Sequence, residues 1–374
     1  MAMSCPRLTG PGRLSWVRGV LAIAIHIAVF VVCLAVLARV ADVIVDAVLE
    51  IARRHRIPPA IAGATLAAAA TSAPELGTNL FALAAARGGD SEVVASIGLG
   101  SIFGSAMFNL TVIVGLAGLF GNGQLTRRIV VRECSTYALS IVAVLAFVLY
   151  LGTPHNALGR YEGLICVALY GAYAVILQRD RARSQSDGDD ELDAHGDDAA
   201  ARGGSEAGSG QGSQARPRRP GLRLVASIAF IAVACHFLVD STRHLATAAS
   251  GLLALDEAAA ASFISLVVVA AATSIPDALT SVAAARRGHT GLAVGNAIGS
   301  NTFDMLICTG LPAAIFGGYA TSDLVAVSGG WLLGSAILVP LLLVRGWCVS
   351  RTNAVTLLVI YAAFVVLVGL WPVL

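Results

Sequence analysis

One uncommon hexapeptide is written twice in this chain. Ala70-Thr71-Ser72-Ala73-Pro74-Glu75 in the first half returns as Ala272-Thr273-Ser274-Ile275-Pro276-Asp277 in the second, each inside a long apolar stretch. A second pair follows downstream, Gly104-Ser105-Ala106-Met107-Phe108-Asn109 and Gly299-Ser300-Asn301-Thr302-Phe303-Asp304. Such self-similarity demands a fold made of two like halves. A proline inside an apolar run removes a backbone donor and clashes with the preceding turn, so each half must also carry an interrupted helix. Hydrophobic residues make up 57% of the chain and charged ones only 13%. The apolar residues fall in blocks of about 20, enough to cross a bilayer as helices. The chain therefore reads as an all-α integral membrane protein, because helices satisfy their backbone polar groups internally.

Ten spans are expected, near 17–40, 59–86, 92–119, 129–151, 158–178, 222–246, 259–285, 291–317, 323–345 and 353–373. They divide as a tail (1–16), a first repeat (17–178), a linker (179–221) and a second repeat (222–374). The linker is dominated by Ser, Gly, Asp, Glu and Arg, and such a segment buries too little apolar surface to offset its ordering entropy, so disorder is expected there. Its acidic residues lack the glycine and the terminal glutamate, at fixed spacing, of an EF-hand loop, and a solvated linker is the simpler reading. Five spans per half send the second repeat into the membrane from the opposite side, so the repeats are inverted. All 25 basic residues are arginines. Arg53, Arg54, Arg56, Arg127, Arg128, Arg132, Arg286, Arg287, Arg345, Arg351 and the stretch 179–223 fall on one side, against Arg7, Arg13, Arg18, Arg87, Arg160 and Arg243 on the other. The positive-inside rule then puts the linker in the cytoplasm and both termini outside. Residues 1–40 also resemble a signal peptide. The match of Ile44-Val45-Asp46 to Leu238-Val239-Asp240 in the sixth span argues that the segment is kept.

The seven cysteines are scattered without a Cys-x-x-Cys pair and read as small apolar residues rather than as zinc ligands or a disulfide framework. No glycine-rich phosphate loop and no Ser/His/Asp spacing is visible, which argues against a nucleotide-driven pump and against an enzyme. No cofactor and no nucleic-acid partner is expected. Asp42, Asp46 and Asp240 read as interfacial, His26 and His236 as packing residues, and Arg39 as a snorkelling side chain or a partner of Asp42 or Asp46.

The chemistry concentrates in the repeated motifs. Thr71 and Glu75 are four apart, as are Thr273 and Asp277, so each broken helix shows a hydroxyl and a carboxylate on one side, next to carbonyls freed by the proline. Ser105 and Asn109, and Ser300 and Asp304, repeat the spacing. A carboxylate at the bilayer centre costs about 2.5–3.5 kcal/mol on the mildest scale. A capping or arginine-paired role would offset that cost, yet neither Glu75 nor Asp277 has an arginine in its own span before Arg87 or Arg286. Facing pairs of these groups would supply hard oxygen ligands and negative charge, which suit Ca²⁺. Close helix packing alone would account for the glycines around the second motifs.

At these residues the chain resembles the cation/Ca²⁺ exchanger superfamily, the sodium/calcium exchangers and their prokaryotic relatives, over essentially its whole length outside 1–15 and the linker. The resemblance implies the exchanger fold of two inverted five-helix repeats and antiport by alternating access, the first and sixth spans sliding across a fixed core. It also implies that Glu75 and Asp277 are the carboxylates shared by Ca²⁺ and Na⁺, with the carbonyls of Thr71 and Thr273 completing the Ca²⁺ site. Ser72, Ser105, Asn109, Ser274, Ser300 and Asp304 would line Na⁺ sites, with the carbonyls of Ala68 and Ala270 nearby. Two features depart from the family pattern. Pro74 lies 35 residues before Asn109 but Pro276 only 28 before Asp304, the difference falling around Arg87 to Glu92, and Ser101 and Ala106 replace asparagines that the second repeat keeps as Asn296 and Asn301. The leading expectation is Na⁺/Ca²⁺ exchange in a plasma (inner) membrane, expelling Ca²⁺. K⁺-dependent exchange, suggested by Asp277 with Asp304, and H⁺/Ca²⁺ exchange stay open. A passive channel or a non-transporting scaffold is the alternative class, but a scaffold needs no paired carboxylates at the midplane.

Overall fold

The computed structural model describes residues 11–54, 71–87, 91–121, 124–148, 158–187, 220–253, 256–317 and 323–370. Each of the ten expected spans has a helical counterpart. The first repeat holds α1 (Pro11–Arg54), α2 (Ala73–Ala86), α3 (Ser91–Phe108), which runs through a π-helical turn at Asn109–Ile113 into α4 (Val114–Phe120), then α5 (Arg127–Ala146) and α6 (Arg160–Asp187). The second holds α7 (Pro220–Leu253), α8 (Glu257–Ile264), a π turn at Ser265–Val269, α9 (Ala270–Thr273), α10 (Ile275–Arg286), α11 (Thr290–Phe303), a π turn at Asp304–Cys308, α12 (Thr309–Phe316), α13 (Asp323–Val344) and α14 (Arg351–Leu370). The first half of the second expected span, 59–70, lies outside the described residues.

Among the described residues six helices are long and apolar enough to cross a membrane, seven if the bent run α8 to α10 counts as one. The remaining expected spans are α2, α5 and α11 with α12. The described part of α2 has only 14 residues, too short to cross alone, and α11 with its π turn carries the polar residues Asn296, Ser300, Asn301 and Asp304. Two boundaries differ from the sequence reading. The first helix already begins at Pro11, inside the expected tail, and α6 continues to Asp187, inside the expected linker. The continuation is physically reasonable, since Gln178 to Ser186 contains no glycine or proline to stop a helix.

The breaks fall where the prolines require them. Ser72 (φ −86°, ψ 9°) and Ser274 (φ −83°, ψ 0°) hold nearly the same turn conformation. Pro74 and Pro276 then sit in the first turns of α2 and α10, where a missing N–H costs little. The second break bends the chain by 46°. The π turns at Asn109 and Asp304 start at matched motif residues, and a π turn leaves carbonyls out of register for other partners.

The span α3–α4 is the centre of the protein: 78% of its apolar window, Ser96–Phe120, is buried, against 17% for Gly19–Leu37 of α1. Close approach there depends on Gly104, whose Cβ, if present, would overlap the Leu266 carbonyl oxygen and meet Ala270 Cβ at 2.6 Å. At the periphery α1 packs mainly on α7, through Phe30, Cys33 and Leu37 against Ile231, Ala234, Cys235 and Leu238. The two-fold relation also shows at the helix ends. Arg87, just after α2, lies over the Phe316 ring at 5.4 Å and donates to the Phe316 carbonyl at the end of α12. Arg286, ending α10, lies over Phe120 at 4.4 Å at the end of α4.

Six of the seven added residues in the longer motif spacing of the first repeat are absorbed as helix. The helix α3 has 18 residues before its π turn where α11 has 14, and α2 has 14 where α10 has 12. The added residues extend the helices away from the break, so Glu75 and Asn109 keep positions equivalent to Asp277 and Asp304.

Candidate ion-binding site

Because α2 and α10 begin at matched breaks and pack against α3 and α11, both copies of both motifs converge in the interior. Glu75, Asp277 and Asp304 are 1%, 1% and 0% exposed. Thr71, Ser72, Thr273, Ser274, Ser105, Ser300 and Asn109 are buried with them. Glu75 and Asp277 stand in the first turns of α2 and α10, where unpaired backbone N–H groups favour negative charge.

The pairing crosses between repeats. Thr71 of the first repeat faces Asp277 of the second, and Thr273 of the second faces Glu75 of the first. Within each repeat the second motif meets the first, Ser300 facing Asp277 and Ser105 Oγ donating to Glu75 Oε1 at 3.4 Å. Ser105 Oγ also lies 2.7 Å from Ser274 Oγ, which closes the repeats on each other. Ser72 faces Asp304. The two-fold relation is incomplete, since Ser72 and Ser300, the counterparts of Ser274 and Ser105, make no hydrogen bond of regular geometry.

The three carboxylates are neighbours of one another, and among the described residues no arginine forms an ion pair with any of them. Glu75 Oε2, Asp277 Oδ1, Asp304 Oδ2, both amide atoms of Asn109 and the hydroxyls of Ser72 and Ser300 are buried without a hydrogen-bond partner among the described residues. Glu133 on α5 shows the ordinary solution by contrast: it is buried, but receives Arg132 at 2.8 Å and the Tyr173 hydroxyl at 2.7 Å. A cluster of carboxylates lacking that compensation must be balanced by cations or protons. Carboxylate, hydroxyl and amide oxygens suit Na⁺ and Ca²⁺.

Ten of the expected site residues are thus linked in one cluster, Asn109 is buried at the start of its π turn, and Ala68 lies outside the described residues. The Ala270 carbonyl accepts the Ser274 N–H at 3.1 Å and the Thr273 hydroxyl at 3.2 Å. Four residues join that the motif argument did not single out as ligands or supports. Asn79 donates to the Cys308 carbonyl at 2.5 Å, in the π turn that carries Asp304. Asn301 donates across the pseudo-axis to the carbonyl of its own counterpart, Ala106, at 2.9 Å, and alanine there leaves no reciprocal bond. Cys308 donates to Asp304 Oδ1 at 3.5 Å. Tyr137 on α5 lies beside Asn301 and Asp304. Asn79 and Cys308 stand four residues after Glu75 and Asp304, a spacing that places them on the same helix face; Tyr137 has no local signal.

A family model described as sodium/calcium exchanger protein matches residues 25–178 and 221–370. The inner membrane protein YrbG of Escherichia coli (strain K12) is 29% identical over 280 residues, 74% of this chain and 75% of that protein. The mouse sodium/potassium/calcium exchanger 3 is 34% identical over 140 residues, 37% of this chain, and the match spans only 20% of that longer protein. Among solved structures, the sodium-calcium exchanger NCX_Mj soaked with Na⁺ and Sr²⁺ aligns over 92% of this chain and 98% of its own, with a TM-score of 0.54 at 18% identity, a likeness of fold.

Proposed function

That this chain belongs to the sodium/calcium exchanger family is the premise from which we propose that it is a secondary active antiporter exchanging Na⁺ for Ca²⁺ across the plasma (inner) membrane. The observation that carries the reading is the cluster of Glu75, Asp277 and Asp304, buried among hydroxyls from both repeats and without a cationic side chain paired to it among the described residues. Glu75 and Asp277 hold Ca²⁺ or the Na⁺ that competes for it, with the Thr71 and Thr273 carbonyls. Ser72, Ser105, Asn109, Ser274, Ser300 and Asp304 line the adjoining Na⁺ positions. Since one set of carboxylates serves both ions, the protein carries either one Ca²⁺ or several Na⁺ but not both, and that exclusion is what couples the two fluxes. The arginine distribution supports a cytoplasmic linker and external termini. With the usual inward Na⁺ gradient, net transport is Ca²⁺ efflux, and no cofactor is required.

A second reading, K⁺ as an additional co-ion, is favoured by Asp304 in the cluster and by the sodium/potassium/calcium exchangers among the relatives. Ca²⁺ uptake into Na⁺-loaded proteoliposomes diluted into Na⁺-free buffer separates the cases. Uptake that needs the Na⁺ gradient and is lost in Glu75→Gln supports the proposal, and uptake that also needs K⁺ selects the second reading. Uptake driven by a pH gradient alone assigns H⁺ coupling, and flux without any counter-gradient in the intact protein makes it a channel.

A further inference from the structure

Away from the carboxylate cluster, α1 and α7 bring together three metal-ligating side chains. One ligand atom from each of His26, Asp240 and His244 lies within 4.8 Å of the other two. The His26 and His244 rings stack with centroids 4.1 Å apart, and His244 Nε2 stands 3.8 Å from Asp240 Oδ1. Asp240 and His244 are one turn apart on α7, the i, i+4 spacing by which one helix face offers two ligands, and His26 supplies the third from the facing helix. His26 is the one His, Asp, Glu, Lys or Arg in the apolar window Gly19–Leu37 of α1. A polar side chain there is costly unless something compensates it. The apolar window of α7 runs 31 residues, Gly221–Gly251. That is about 46 Å of helix at 1.5 Å per residue, longer than a hydrocarbon core of about 30 Å. His244, seven residues from its end, is thus close to the water interface. The His244 and Asp240 side chains are 54% and 48% exposed on the protein surface.

We propose that His26, Asp240 and His244 form a binding site for a transition-metal dication of the Zn²⁺ class that fastens α1 to α7. Two imidazoles and a carboxylate with a fourth position open form a three-ligand zinc set, whereas alkaline-earth ions prefer all-oxygen shells. Ligands around a tetrahedral ion with bonds of 2.0–2.1 Å are about 3.4 Å apart, and small side-chain rotations bring the observed atoms to that separation.

The test is titration of the full chain in nanodiscs with Zn²⁺ and with Co²⁺. The expected result is one Zn²⁺ per chain and a visible Co²⁺ d–d band without sulfur-to-metal charge transfer. Affinity falls at least tenfold in His26→Ala and in His244→Ala, and is unchanged in Glu75→Gln and Cys308→Ser. Bound metal raises the unfolding temperature of the wild type but not of the histidine variants. His244→Gln, which keeps size and polarity, serves if an alanine variant misfolds. No stoichiometric binding, binding indifferent to the histidines, or binding lost in Glu75→Gln or Cys308→Ser overturns the proposal; the last would place the ion in the carboxylate cluster.

Discussion

Replacing Glu75 by glutamine moves two measurable quantities in opposite directions. Glu75 is buried at 1% exposure beside Asp277 and Asp304. Two unit charges 4 Å apart interact by about 4 kcal/mol at an effective dielectric constant of 20, hence by about 8 kcal/mol for a divalent ion. Glutamine keeps an oxygen ligand and its dipole, so we take about half of this as lost, roughly 4 kcal/mol. At 1.4 kcal/mol per tenfold, Ca²⁺ affinity should fall by about a thousandfold. The ion-free protein should respond in the other direction, since a buried carboxylate without a cationic partner costs about 2.5–3.5 kcal/mol on the mildest membrane scale. Its amide variant should therefore unfold at a higher temperature in Ca²⁺-free, Na⁺-free buffer. Calorimetric Ca²⁺ titration and thermal unfolding in the same detergent, with and without Ca²⁺, measure both effects. Ca²⁺ affinity within threefold of wild type, or a lower ion-free unfolding temperature in a correctly folded variant, would refute the reasoning.

Gly104→Ala should destabilise by about 1–3 kcal/mol through overpacking, because its Cβ would overlap the Leu266 carbonyl. Gly299→Ala at the matched position meets only Glu133 Oε2 at 3.8 Å and should be neutral or stabilising, which denaturation of the two variants side by side checks. Arg87→Ala should lower the unfolding temperature more than Arg286→Ala, since Arg87 adds a hydrogen bond to the Phe316 carbonyl to its ring contact; equal shifts would show that the hydrogen bond contributes nothing. Ser105→Ala and Ser274→Ala each remove the 2.7 Å bond that joins the repeats, and in a double-mutant cycle on Na⁺-dependent Ca²⁺ uptake their effects should be less than additive.

Much of this protein was written locally in its chain. Apolar blocks of membrane-spanning length, two prolines inside them and carboxylates one helical turn from hydroxyls are facts of spacing, and spacing is what helix geometry acts on. The duplication determined that whatever one half supplies the other supplies from the opposite side. Local spacing was weaker at helix ends, where α6 runs on to Asp187 because nothing in that stretch stops it. It was weakest wherever the two halves meet. That Thr71 faces Asp277 rather than its own Glu75, that Ser105 bonds Ser274 while Ser72 and Ser300 stay apart, and that Tyr137 comes to lie beside Asp304 are outcomes of packing between helices far apart in the chain. So is the meeting of His26 and Asp240, read singly as packing and interfacial, with His244. Sequence by itself determined which groups would be buried and on which helix face. Only the tertiary structure decided their partners, because a contact between distant segments depends on how whole helices seat against each other, with Gly104 setting how closely, and no local period in the chain encodes that.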